Sequence, residues 1–424
     1  MSRIRRLPAS AVAAATALAL ALTACSSKAE DDGGDNGSGG GDGASGELET
    51  GAGVTDTTIT LGALTDMTGP YATLGASITQ VQQMYVEEIN GAGGICEREL
   101  ALEVRDHGYD PEKAISAYNE LQPNVLAFPQ FIGSPYVTAV KDQVDSTDMV
   151  PIVAQAWTAS LLGSPYIQMV GATYDVETIN AIDFLVSEHG LAEGDKIGQI
   201  YFEGDYGENA LEGAEYAAEQ LGMSVVGQMI KPTDEDMTAQ VSALAQEGVS
   251  AIVISAGPRQ AASIAGVAAA AGLNVPIIGN NSAFAPQLLA TEAAPALLNN
   301  FYIAASTLPI GDEAAKDIAD SYLAAYPDAT LDNGVLAGYN AIEIITEAAR
   351  LACDNGKLTR EGLTEALRTM SGFPGLGVTH DFSDPANPST LETVILKPDA
   401  DAPGGMVVHR EAAVSDIAGS FPRE

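Results

Sequence analysis

The chain has 424 residues, 46 % of them hydrophobic and 18 % charged, which is enough apolar material for two or three domains and too much for wholesale disorder. Aspartate and glutamate number 57 against 19 lysine and arginine, a formal net charge of −38, which speaks against nucleic acid as a partner and against a basic surface on an anionic membrane. Four histidines and three cysteines are too few and too scattered for a zinc framework, so neither a metal nor a cofactor is expected.

The first 25 residues read as an address rather than as fold. Arg3, Arg5 and Arg6 form a positive start, and Ala11 to Leu22 is apolar but short for a membrane span. The stretch ends in Leu22-Thr23-Ala24-Cys25, which resembles the lipobox of bacterial lipoproteins. Residues 1–24 are therefore expected to be a lipoprotein signal peptide, with Cys25 the lipidated first residue of the mature chain. The alternative is an ordinary secretory signal with an incidental cysteine. Residues 25–55 are rich in Gly, Asp, Ser and Glu and read as a flexible acidic tether. Gly41 to Gly46 match a GxGxxG pattern there, but no strand precedes it and no helix follows, so it is linker. Lipidation of Cys25 leaves Cys96 and Cys353, an even pair in an oxidising compartment, which read as a disulfide or as two buried thiols.

From Thr57 the pattern alternates strand and helix. Thr58 to Ala63 alternates as a strand, Gly69-Pro70 breaks it, and Ile78, Val81, Tyr85 and Ile89 share one helical face. Leu100, Leu102 and Val104 alternate again, Pro111 opens a helix, and Val125 to Phe128 and Val150 to Val153 predict further strands around a helix that starts near Ser134. A second series follows Gly171. It predicts helices over 176–189, 208–221 and 237–247, with strands over 196–202, 223–229, 251–254 and 275–278. Phe301 to Ala305 is extended, and helices near 312–326, 335–353 and 359–370 lead into a turn-rich β tail. Such alternation predicts an α/β protein with two parallel sheets flanked by helices.

These residues also carry a resemblance. Ile59 to Thr65 with Gly69-Pro70, Glu88-Ile89-Asn90-Gly91-Ala92-Gly93-Gly94-Ile95, Asp106 with Tyr109-Asp110-Pro111, and Asp205-Tyr206-Gly207 follow one another as in type I periplasmic binding proteins. The branch they resemble is the leucine/isoleucine/valine-binding proteins of ABC transporters. The resemblance implies two Rossmann-like lobes joined by three hinge strands, closing on a small solute for delivery to an ABC permease. Residues 56–172 would be the first part of lobe 1, 173–303 lobe 2, 304–379 the return to lobe 1, and 380–424 the return to lobe 2 with the tail. The crossings are expected near 171–174, 302–306 and 377–382.

The same resemblance implies a site. Gly133 and Ser134 stand at a strand-to-helix junction where free N–H groups and a hydroxyl can take a carboxylate, though a serine there is also a plain N-cap. Ala156, Trp157 and Thr158 occupy a second carboxylate-contacting loop, with Trp157 open to a role in lobe packing instead. Tyr206 would cover the ligand from the second lobe, or support Gly207. Amino-acid binders of the branch carry an acid after the strand at 275–278, where this chain has Asn281. Asparagine accepts a hydrogen bond but does not neutralise an ammonium, which opens the ligand class to amides, urea-like solutes and organic acids. The chain contains no GxSxG, Walker or HExxH motif, so an enzyme is not expected. An extracytoplasmic, membrane-anchored, monomeric solute-binding lipoprotein is expected, with an extracellular ligand sensor of the same fold as the alternative.

Overall fold

The computed structural model describes residues 48–422. The expected signal peptide, Cys25 and most of the expected tether lie outside the described residues.

In chain order the first lobe contains β1 (Glu49–Thr50), β2 (Thr58–Thr65), α1 (Ala72–Gly91), β3 (Glu99–Asp106), α2 (Pro111–Leu121), β4 (Ala127–Phe131), α3 (Ser134–Gln143), β5 (Ile152–Ala154) and β6 (Ile167–Met169). Strands β2 to β6 form a sheet in the order β3-β2-β4-β5-β6. Its pairs are parallel, with Leu61 opposite Leu102 and Ile152 opposite Ile167. Ile59, Leu61, Ala63 and Leu64 are all buried, as expected for a strand covered on both faces. Pro129 sits inside the central strand β4, where it removes a ladder donor. The pairing of β2 with β4 shifts register between Leu61 and Ala63, and the Pro129 carbonyl accepts from the side-chain amides of Gln82 (2.9 Å) and Gln155 (3.2 Å). That repair explains why β4 runs on to Phe131, past the sequence-predicted end at Phe128.

The second lobe follows: α4 (Tyr174–His189), β7 (Lys196–Phe202), α5 (Asp205–Gln220), β8 (Ser224–Ile230), α6 (Thr238–Glu247), β9 (Ala251–Ser255), α7 (Pro258–Ala270), β10 (Ile277–Gly279), α8 (Ala294–Asn300) and β11 (Phe301–Ala305). The chain then returns to the first lobe as α9 (Lys316–Ala325), α10 (Asn333–Asp354), β12 (Lys357–Leu358), α11 (Arg360–Leu367) and the hairpin β13 (Ser371–Pro374) and β14 (Thr379–Asp381). It ends in the second lobe with β15 (Thr393–Pro398), β16 (Met406–Ala413) and α12 (Asp416–Ser420). The second sheet has the order β16-β15-β11-β10-β9-β7-β8, parallel except for β15 and β16. The α/β class and the two-sheet architecture are those expected from the sequence.

Each lobe has its own core. In the first, Ile342, Ile345 and Ala349 of α10 pack with Tyr85 and Val86 of α1 over Leu61 and Val153. In the second, Ile252, Ile254, Ile264 and Leu297 pack around the β9 and β10 strands. Cys96, just beyond α1, and Cys353, in the last turn of α10, are disulfide-bonded, with Cα atoms 6.4 Å apart across 257 residues of sequence.

Three connections between the lobes meet at one point. The Gly171 N–H donates to Ser389 Oγ at 2.9 Å and the Ala172 N–H to Ser306 Oγ at 3.2 Å. Gly171 has φ 142°, and a Cβ there would stand 2.7 Å from Ser306 Oγ, so a side chain at this crossing would part the strands. The third crossing differs from the expected 377–382. Phe382 is fully buried in the first-lobe core, its N–H bonded to the Met370 carbonyl at 3.0 Å, so the chain leaves that lobe only around Ser389. The turn-rich tail concealed a hairpin that belongs to the first lobe.

Candidate functional site

Ligand sites in open α/β sheets form beyond the carboxyl ends of the strands. Here those ends carry an unusual set of aromatics. Tyr71 follows β2, Tyr109 follows β3, Trp157 follows β5, Tyr174 follows β6 and Tyr206 follows β7. All five line a cavity between the lobes.

Local structure holds each one in place. Asp66 Oδ1 accepts the Gly69 N–H and Oδ2 accepts the Tyr71 N–H at 2.9 Å, which turns the chain after β2 and delivers Tyr71. Tyr109 has φ 59°, rare for a bulky residue, and is held there by its N–H to His107 Nδ1 (3.1 Å) and its carbonyl to the Tyr136 hydroxyl (2.5 Å). Tyr174 donates its N–H to the Trp157 carbonyl at 2.8 Å. Tyr71 packs edge-on to Tyr109 (centroids 5.2 Å) from the first lobe, and Tyr174 lies against Tyr206 (4.3 Å) from the second.

The four phenols form the polar end of the cavity. Burial first, and then mutual proximity, holds Tyr71, Tyr109 and Tyr206 well above the usual tyrosine range, and burial raises Tyr174 as well. All four therefore stay protonated and can donate. The Tyr206 hydroxyl accepts from Ser282 Oγ at 3.3 Å. Tyr71 Oη and Ser134 Oγ are buried without a well-formed hydrogen bond, although Ser282 and Tyr174 lie beside them. Ser134 opens α3 after Gly133, whose φ is 107°. Its hydroxyl does not cap the helix; it is left facing the cavity with the helix N-terminus behind it.

The remaining wall is largely apolar and reaches into the first lobe. Leu74 and Ile78 come from α1, Ala337 and Ala341 from α10, and Ile132, Ala154 and Val170 from the strand ends. The Trp157 indole N–H is committed to the Val170 carbonyl at 2.9 Å, which turns the ring into a wall of this channel. No Lys, Arg, His, Asp or Glu lines the cavity among the described residues.

Of the expected site residues, Gly133, Ser134, Trp157, Tyr206 and Asn281 are brought together on this cavity. Ala156 and Thr158 are not. Ala156 is fully buried in the first-lobe core, and Thr158 faces the seam between the lobes, its hydroxyl 3.4 Å from the Asp205 carbonyl. Both displacements have one cause: the Trp157 ring takes the cavity side of the loop and turns its neighbours away. Asn281 also differs in what it does. Its side-chain N–H donates to Glu177 Oε2 (2.9 Å) and its backbone N–H to Oε1 (2.9 Å), while Asn280 donates to Oε1 (2.8 Å). Glu177 is fully buried behind the lining, and burial outweighs these three donors to push its carboxyl up to about 7. Asn281 is therefore a fastened group that seals an acid away from the cavity.

Sequence reading missed Tyr71, Tyr109, Tyr174 and Ser282, for which an aromatic or hydroxyl residue within a few positions of a strand's carboxyl end was the available signal, and Glu177, inside α4, for which there was none.

Comparison with known proteins agrees with this fold. Residues 58–398 match the periplasmic binding protein family. A Leu/Ile/Val-binding protein homolog of Brucella melitensis is 25 % identical over 198 residues, 46 % of this chain and 53 % of the relative, so the chain spans about half the length of that relative. A structure described as a fatty acid ABC transporter substrate-binding protein from Thermomonospora curvata is 50 % identical, with a TM-score of 0.87 over 89 % of this chain and 97 % of that one. A branched-chain amino acid ABC transporter protein from Thermus thermophilus with bound valine is 19 % identical with a TM-score of 0.75, over 86 % and 98 %, and shares the fold.

Proposed function

The chain belongs to the periplasmic binding protein family, and on that premise we propose that it captures an aliphatic carboxylic acid, a fatty acid, outside the cytoplasmic membrane and hands it to an ABC permease. The observation that carries this reading is the division of the cavity into a cluster of hydroxyl donors and an apolar channel, with no charged side chain on either among the described residues. A zwitterionic amino acid needs a countercharge for its ammonium, because an unpaired buried charge is costly. Glu177, the acid behind Asn281, is already satisfied by Asn280 and Asn281. A carboxylic acid needs only donors at its head, and the tyrosine hydroxyls, Ser134 and the start of α3 supply them. Its chain then gains about 0.8 kcal/mol per buried methylene along Leu74, Ile78 and Ala337. The likeness to the fatty acid binder of Thermomonospora curvata supports the same reading.

Capture would proceed by closure. Tyr71, Tyr109 and Ser134 belong to the first lobe and Tyr174, Tyr206 and Ser282 to the second, so the head group bridges them and favours the closed form. The Ala159 N–H to Asn209 Oδ1 bond (3.1 Å) joins the lobes beside the site. Lipid on Cys25 and the acidic tether would hold this monomeric domain at the outer face of the membrane, near its permease. The reading involves no turnover: the ligand leaves as it arrived.

The test is calorimetry of the full-length chain with saturated fatty acids of graded length, and with leucine and valine. Binding of a fatty acid with affinity that rises with chain length supports the proposal. Tight binding of leucine or valine with no binding of any fatty acid refutes it.

A further inference from the structure

The polar residues of the cavity wall differ in whether the protein itself uses them. Gln155 donates to the Pro129 carbonyl and accepts from the Phe131 N–H, Ser306 accepts from Ala172, and Asn333 Oδ1 accepts from the Ile310 N–H. Three lining side chains hold fully buried polar atoms with no well-formed hydrogen bond: Tyr71, Ser134 and Asn340. The first two belong to the hydroxyl cluster. Asn340 does not. It lies on α10 two turns beyond Asn333, about 10 Å further along the helix at 1.5 Å per residue, beside Ile78, Ala337 and Ala341.

Asn340 is 1 % exposed, and both its Nδ2 and its Oδ1 lack a hydrogen bond. The channel ends there for a steric reason. A Cβ on Gly338 would stand 2.6 Å from Val81 and 2.8 Å from the Ile78 carbonyl, so α10 presses directly onto α1 at that level. An unused amide at the closed end of an apolar channel is costly, and leucine would serve a plain hydrocarbon tail better.

We propose that Asn340 recognises an oxygen function at the far end of the ligand, a terminal hydroxyl, so that the solute is an ω-hydroxy fatty acid rather than a plain one. A hydroxyl both donates and accepts, and so meets the Oδ1 and Nδ2 of one amide together. The carboxyl would sit among the tyrosines and the methylenes along the channel. This inference rests on the fatty acid reading and narrows it.

The experiment measures binding of saturated fatty acids of six to fourteen carbons and of the ω-hydroxy acids of the same lengths to the full-length chain and its Asn340→Leu variant. At the best-fitting length the wild type should prefer the hydroxy acid about tenfold or more, the worth of one buried hydrogen bond. Asn340→Leu should lose that preference and bind the plain acid as well as the wild type or better. Equal or tighter binding of the plain acids by the wild type at every length, or a preference that survives in the variant, overturns the inference and leaves the fatty acid reading standing. Failure of both acid series to bind while valine binds overturns the fatty acid reading itself. Asn340→Ala repeats the comparison should the leucine variant not fold, and the wild-type preference is readable without either.

Discussion

Replacing Asn281 by aspartate tests how the buried acid is managed. Asn281 Nδ2 lies 2.9 Å from Glu177 Oε2, so Asn281→Asp places an oxygen where that donor was. Two carboxylates at this separation cannot both ionise, and one proton must stay between them. The pair then carries one negative charge, no more than Glu177 alone carries once ionised, so the substitution adds no second countercharge for an ammonium. It does create a pH dependence. Glu177 already titrates at about 7 in the fold against an ordinary 4.5, a raised value, so the stability it contributes is full below about 4.5 and declines as pH rises to about 7. The second carboxylate prolongs that decline past pH 7, because the folded pair keeps its shared proton while the unfolded chain has released both, a further loss of about 1.4 kcal/mol per pH unit. Urea unfolding should therefore show Asn281→Asp close to wild type at pH 5 and weaker by about that amount at pH 8. A variant that binds leucine newly and tightly, with stability unchanged between the two pH values, would refute the reasoning.

The other predictions concern the head-group cluster, the hinge and the disulfide. Tyr206→Phe keeps the ring against Tyr174 but removes one hydroxyl, and should weaken fatty acid binding about tenfold or more by calorimetry; an affinity within twofold of wild type would remove Tyr206 from the head-group site. His380, buried at the hinge with Nδ1 3.0 Å from Ser389 Oγ, is pushed down to about 4 by burial. Its folded value lies below its ordinary 6.5, so it contributes stability above about 6.5 that is lost as pH falls toward 4, on the order of 2 kcal/mol by pH 5. His380→Asn should flatten that part of the stability profile in parallel unfolding titrations; an unchanged slope would show that another group carries it. Removing the 257-residue cross-link in Cys96→Ala with Cys353→Ala should cost up to about 5 kcal/mol in equilibrium unfolding. No loss at all would mean that the reduced chain keeps its loop ends together.

The architecture was legible because alternating strand and helix patterns depend on periodicity, which each segment states locally. Lys196 to Phe202 and Phe301 to Ala305 are strands with the very bounds that their apolar runs suggest. Strand β6, three residues between Tyr166 and Val170, was too short to show a period, and Pro129 concealed the end of β4. The site was legible only in part. Ser134 and Trp157 sit at strand ends, which chain order reveals. Asn281 stood out as a missing acid, yet its meaning depends on Glu177, 104 positions away and in contact only through the fold. The unmet amide of Asn340 is likewise invisible in sequence, where it reads as one more polar residue in an alanine-rich helix.

The disulfide joins the two helices that wall the channel. Helices α1 and α10 both start at the cleft, where Leu74 and Asn333 line the cavity, and both end at the opposite pole of the first lobe, where Cys96 and Cys353 are joined. The disulfide fixes the helices at that far end, while close packing at Gly338, where α10 meets Val81 and the Ile78 carbonyl of α1, sets the floor of the channel. A ligand too long for the channel must therefore push its surplus out toward the mouth, where the lobes close. Length selection becomes a contest between the ligand's tail and lobe closure.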